Sequence, residues 1–429
     1  MKRQTLETDI AVDPHQERNG LIGVALRRLP MLDSFKVRDY RWVWLSSLFS
    51  MLAMNMQMLA RVWIVMRLTE DSPMAVVYIT MTFALPMMFV SLLGGALADR
   101  VPRRTMMIYG QGGNALLTLV VATLDITGAI QFWHLMAVGL VNGSLMAINM
   151  PSRQAILSDI LPEGRLMNGI AMMNSAMNTT RIVGPALAGV LILWIGTYGV
   201  LYIVAGAYAL SVLAVMALDA GRTPKASSGK GVGGDIRAGF EYVLASPTIM
   251  MLIVMAFVPV MFGMSYHVLL PVWARVSLDV QSSDLGVLMM TMGVGALVGT
   301  LALASLGNFR KRGAFLLVCC VAWGVSLAVF SQTTSYALAV PLLLFIGLVS
   351  AMYMSLNMTM LQLYASPEMR GRIMSIAMMT FGLMPLSAVP FGIIAEVYGP
   401  AFALMLSGAL LAAFTVVFAA RFPRFRAIA

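Results

Sequence analysis

Asp99 is followed by Arg100, Arg103 and Arg104 in the stretch Gly95-Ala-Leu-Ala-Asp99-Arg100-Val-Pro-Arg103-Arg104. One carboxylate against three guanidinium groups, without a nucleophile or a metal-ligand spacing beside it, suits the making and breaking of ion pairs. In a tight turn between two apolar runs such pairs form a latch, and Gly95 permits close helix approach. Asp99 is further expected to be stabilised by the positive N-terminal end of a distant helix, the one beginning near Ile373.

A second set of polar residues lies inside apolar runs, where side chains of this kind avoid hydrocarbon and face the bundle interior or water. Ser47, Ser50, Gln57 and Arg61 fall within about 80° of arc at about 100° per residue. Asn174, Asn178 and Arg181 align on one face with Pro185, and Asn142 and Asn149 are nearly eclipsed. These residues are the candidate substrate pathway. Arg61 precedes Arg67 by only about 9 Å of helix, so it could equally snorkel to the interface. Arg181 lies about 20 Å into its run, where it is expected to line a cavity or to be held in a buried pair.

No carboxylate occupies the centre of an apolar run, and His267, Asp125 and Glu396 are the titratable side chains left toward the outer ends that could take up and release a proton. His267 ranks first because imidazole titrates near neutrality. Cys319 and Cys320, adjacent in an apolar run, offer neither a disulfide nor a metal-ligand spacing, so no metal is expected. No G-x-x-x-x-G-K-[ST] loop occurs, and no cofactor is expected.

The elements that position these residues follow from composition. Of 429 residues 59% are hydrophobic and 11% charged, with a mean hydropathy of +0.84. A soluble globule carries about 25% charged residues. A soluble enzyme, a disordered chain and a nucleic-acid-binding domain are thereby excluded, and the solvent is lipid. The fold class is therefore an all-α integral membrane protein. Apolar runs mark helices near 42–66, 75–97, 105–126, 132–152, 167–194 and 198–219, and again near 248–272, 283–306, 314–331, 336–360, 373–395 and 400–420.

Charge orients this map. With both termini cytoplasmic, 25 of the 29 Lys and Arg fall on inner segments, only Arg67 and Arg275 on outer turns, and Arg61 and Arg181 within spans. The net charge of +10 is therefore topological, and no nucleic acid is expected as partner. Residues 1–39 form a polar N-terminal segment without a secretory signal, 40–219 and 248–420 are two six-helix bundles, 220–247 is a cytoplasmic linker and 421–429 a cytoplasmic tail. The halves repeat at an offset of 208 residues, which matches Asn149 with Asn357, Gln154 with Gln362, and Arg103-Arg104 with Lys311-Arg312. Such parallel repeats imply a pseudo-twofold axis along the membrane normal. The 39 methionines suit either a pocket that repacks around varied ligands or a lipid-facing filler.

The turn at 95–104 resembles the G-x-x-x-D-R-x-x-R-R signature of the major facilitator superfamily, and twelve spans in two halves extend the resemblance over nearly the whole chain. The second-half counterpart departs from it, with Gly307 where Asp99 would stand. Asn149-Met-Pro151-Ser-Arg153-Gln154 through Asp159 and Pro162, with Asn168 and Arg181, resembles the transmembrane secretion effectors, a branch related to enterobactin exporters and drug/proton antiporters. Gly184, Pro185 and Gly189 are similar to the helix-five motif of antiporters, its closing glycine pair reduced to Ala188-Gly189; proline and glycine there predict a bend or a tight seam. The resemblance implies a monomeric transporter of the bacterial inner membrane, in contact with lipid. It implies alternating access around a cavity lined by helices 1, 4, 5, 7, 10 and 11, and export of a small amphipathic or hydrophobic substrate, a drug or siderophore-like metabolite, against protons. Two alternatives stand beside it: import or facilitated passage of a small organic anion, which Arg61 and Arg181 would suit, and a lipid flippase or non-transporting scaffold.

Overall fold

In lipid each backbone N–H and C=O must find its partner within its own segment, so long apolar runs become helices. The computed structural model describes residues 30–98, 101–219, 241–307, 309–366, 368–426 and 428. The first helices are α1 (Arg38–Leu68), α2 (Pro73–Ala98), α3 (Arg103–Ile126) and α4 (Phe132–Ile160). The stretch Glu163–Met216 divides at Gly196, whose φ of 70° lies in the left-handed region that a Cβ disfavours, giving α5 (163–195) and α6 (197–216). Beyond the linker lie α7 (Pro247–Leu278), α8 (Ser282–Leu306), α9 (Arg312–Ser331) and α10 (Tyr336–Tyr364). Next come α11, made of Arg370–Gly382 and Met384–Tyr398, and α12 (Pro400–Arg421). Among the described residues there is no strand, and nine helices are long and apolar enough to cross a membrane, Gly164–Met216 counted as one; Pro73–Met87 and Leu386–Tyr398 are shorter apolar helices.

Two runs that read as continuous in sequence are interrupted. In α7 the segment Pro259–Gly263 winds as a π turn, with Met264 N–H donating to Pro259 O at 2.9 Å, before the helix resumes at Tyr266. In α11 the break falls at Leu383, two residues before Pro385, which has no N–H to give to the helix ladder. Both breaks lie in the second half, and the first places Tyr266 and His267 at a helix start.

Side-chain contacts define two faces. On one, Arg103 pairs with Asp159, Arg104 donates to the carbonyls of Val215 (3.3 Å) and Met216 (2.6 Å), and Ser34 Oγ donates to Arg165 O (3.1 Å). Gly313 N–H donates to Ile428 O there, so this is the terminal face. On the opposite face Arg67, Asp125 and Thr197 gather the ends of α1 and α3 and the start of α6.

Large apolar side chains such as Leu116, Leu213, Leu301, Val318 and Val417 stand exposed along the helices. An apolar exterior of that extent has lipid as its solvent. Within each half, α4 approaches α2 and α10 approaches α8 through glycines 208 residues apart: Gly139 meets Thr82, and Gly347 meets the Met292 carbonyl. The sequence repeat is thus also a packing repeat.

Candidate functional site

A cavity of about 420 Å³ lies between α5 of the first half and α7, α8, α10 and α11 of the second. Asn178 and Arg181, one turn apart on α5, form one wall, and Arg181 is exposed to the space. Tyr266 and His267 enter from the restart of α7, and Ser350 from α10. The lining on α8 runs from Met292 to Thr300 and on α10 from Gly347 to Ser355, around the middle of each helix.

Toward the opposite face the cavity is closed by a seam between α5 and α8. A Cβ on Gly286 would stand 2.7 Å from Pro185 O, and one on Gly293 would stand 2.8 Å from Ile182 Cγ1. Ser282 Oγ donates to Gly189 O at 3.0 Å, and on its other side Gly184 packs against Asn55 of α1. Gly184, Pro185 and Gly189 therefore sit in a tight seam.

The turn between α1 and α2 adds further contacts across the halves. Arg275 approaches Asp71 at 3.8 Å and lies over the Trp63 ring at 5.6 Å. The Glu396 carboxylate of α11 accepts from Ser72 Oγ (2.9 Å) and Met74 N–H (3.1 Å), at the positive N-terminal end of α2. Gly392, one turn earlier, faces Val77 and Met74.

The other pathway residues do not line this cavity. Gln57, Arg61 and Asn142 form a separate polar cluster inside the first half. Gln57 Nε2 donates to Thr118 Oγ1 at 2.9 Å, and Tyr208 OH donates to Gln57 Oε1 at 3.3 Å. The orientation that its neighbours favour for the Asn142 amide lets its oxygen accept from Arg61 at 2.9 Å and from Gln57 at 3.3 Å. Arg61 therefore turns inward instead of reaching the interface. Ser50 is buried and donates to its own helix at Ser47 O (3.2 Å), and Asn174 is exposed one turn before Asn178. Asn149 and its repeat partner Asn357 are both 2% exposed, each with a side-chain oxygen that has no partner among the described residues.

Of the proton-carrier candidates, His267 lines the cavity, whereas Asp125 is held by Arg67 and Thr197 and Glu396 by α2. On the terminal face Gly95 lies within α2, but Asp99 and Arg100 fall outside the described residues. Arg103 turns to Asp159 and to Ala155 O (2.7 Å), and Arg104 to the carbonyl end of α6, where a cation complements the helix dipole.

Sequence reasoning missed Gly286 and Gly293, although their glycine-rich helix carried a small-residue signal. It missed Arg275 and Ser72 because nothing local marks a contact between residues some 200 to 320 positions apart.

A profile described as transmembrane secretion effector matches residues 31–429. The chain belongs to the transmembrane secretion effector family of the major facilitator superfamily. This secretion effector is similar to the multidrug efflux pump Tap of Mycolicibacterium fortuitum, 24% identical over 342 residues, covering 77% of this chain and 82% of Tap. It is likewise similar to the enterobactin exporter EntS of Citrobacter koseri, 26% identical over 294 residues, covering 67% and 68% respectively. Its fold matches the crystal structure of the nucleoside transporter NupG with a TM-score of 0.67 at 16% identity, over 90% of this chain and 100% of that one. The secretion effector is a multi-pass membrane transporter of small molecules, not an enzyme.

Proposed function

We propose that this secretion effector is a secondary exporter of a small amphipathic or hydrophobic compound, of the drug or siderophore-like kind, in the bacterial inner membrane. Two six-helix halves, 40–219 and 248–420, exchange access around the cavity at Arg181, and protons moving inward drive the cargo out. The chain crosses the membrane twelve times with both termini and the 220–247 linker in the cytoplasm. The break at Gly196 and the two shorter apolar helices support that count.

The observation that carries the proposal is a central space between the halves with closing contacts at one end. Its lining lies around the middle of the helices, while the Gly286–Pro185 seam and the Glu396–Ser72 contact close the end toward the opposite face. A central cavity between two halves, sealed toward one face by separable contacts, suits a carrier rather than a channel or a scaffold. The efflux and exporter activities of Tap and EntS support the outward direction. His267 is the favoured proton carrier because, of the three candidates, it lines the cavity.

Flux in proteoliposomes of known orientation tests this. Under an imposed pH gradient an amphipathic dye is expected to move toward the side corresponding to the opposite face, at rates at least severalfold above empty vesicles. Movement of an organic anion in the reverse direction would favour import, and movement of labelled lipid alone a flippase. Either result would overturn the proposal.

A further inference from the structure

We propose that the cargo carries a negative charge on an apolar body, with Arg181 as its counter-ion, an inference that rests on reading the Arg181 cavity as the transport site. Among the described residues lining the cavity, Arg181 is the only Asp, Glu, Lys or Arg. It is exposed to the space, and no ion pair or hydrogen bond engages its guanidinium among the described residues. The first half's other deep arginine, Arg61, is in a different position, held by Asn142 away from the cavity.

The rest of the lining specifies the body of the ligand. Met264, Met292, Met354 and Met384 present flexible, polarizable thioethers able to repack around different apolar frames. Asn178 supplies a neutral donor one turn from the cation, and Ser350 Oγ, which donates to Gly347 O at 3.1 Å, supplies an acceptor. A planar guanidinium matches a carboxylate, sulfonate or phosphate through two parallel hydrogen bonds.

Alternating access strengthens the argument. When the terminal side closes, Arg181 leaves water, and an isolated cation in a low-dielectric space is strongly disfavoured. An anionic cargo neutralises it, so closure is favoured with the anion bound. A cationic cargo would instead add a second like charge to a space that offers no carboxylate among its described residues.

The test uses three probes on the full-length protein in nanodiscs, with empty nanodiscs subtracted. These are anilinonaphthalene sulfonate, phenylnaphthylamine, which keeps the ring body without the sulfonate, and ethidium, an aromatic cation. We expect the sulfonate to bind at least about tenfold more tightly than the neutral amine, the scale of one charge-assisted contact, with ethidium weakest. Arg181→Gln should remove that preference, and Arg181→Lys should keep most of it. Equal binding of the three probes to wild type, or an undiminished sulfonate preference in Arg181→Gln, would overturn the inference. Wild-type selectivity decides the matter even if Arg181→Gln does not fold. Flux of the same probes in proteoliposomes separates the two readings. Selective binding without flux overturns transport and leaves the anion site standing, and flux with unselective binding does the reverse.

Discussion

Replacing Gly286 by alanine should part the α5–α8 seam and shift the protein toward a state open at the opposite face. The added Cβ would stand 2.7 Å from Pro185 O and 3.2 Å from Ala186 Cα, both backbone atoms that cannot swing aside, whereas ordinary contact begins at 3.4 Å. The seam must therefore widen by about 0.7 Å, and overpacking of this kind costs about 1–3 kcal/mol. Applied to the closed state alone, that energy changes the ratio of open to closed by about 5- to 150-fold. An open state populated at about 1% would rise to between about 5% and 60%. Spin labels at Ala129 and Thr334, exposed turn residues of the two halves on the opposite face, report this as a growing long-distance population in pulsed electron resonance. Cys319 and Cys320 would first be replaced by alanine. An unchanged distance distribution with an unchanged melting temperature would refute the reasoning, because the added atom would have met no obstacle.

Glu396→Ala removes an acceptor from the start of α2 and, at about 0.3–1 kcal/mol for a carboxylate at a helix N-terminus, should raise the open population by about two- to fivefold in the same assay; no change would dissociate that contact from closure. Asp125→Asn breaks the ion pair with Arg67 around a fully buried carboxylate. It should cost about 1–3 kcal/mol in a thermal melt, while substrate-driven proton release persists and His267→Gln abolishes it; the reverse pattern would make Asp125 the carrier. Asp71, in the turn before α2, has its carboxyl pushed above the usual range chiefly by partial burial, with Arg275 pulling it down and Asp279 pushing it up. The closed state then binds the proton more tightly than an open state in which Asp71 is hydrated. Acidification through the carboxylate range should therefore favour closure, and Asp71→Asn should flatten that response; opening on acidification would contradict it.

The helices were legible because a spanning segment must be long and apolar, a local property of the sequence. The interruptions at Pro259–Gly263 and Leu383 were less so, since proline is tolerated within membrane helices when neighbours satisfy the freed backbone groups. Arg181 and Asn178 were legible as a cavity wall because depth and helical periodicity place both on one face. Arg61 was not, since its inward turn depends on Asn142, 81 positions away. Asp125 and Glu396 read as free titratable groups at helix ends. Their partners, Thr197 and Ser72, lie 72 and 324 positions distant, and nothing in the local sequence marks them.

The central claim, that the halves must separate at the seam for cargo to pass, is tested most directly by locking it. A Cβ built on Gly293 lies 3.7 Å from Ile182 Cβ, within disulfide range, so Ile182→Cys with Gly293→Cys should cross-link α5 to α8 on oxidation in the background lacking Cys319 and Cys320. The measurement is dye flux in proteoliposomes before oxidation, after it, and after reduction. The account predicts that flux falls at least about tenfold in the cross-linked protein and returns when the disulfide is reduced. Full cross-linking with undiminished flux would contradict it.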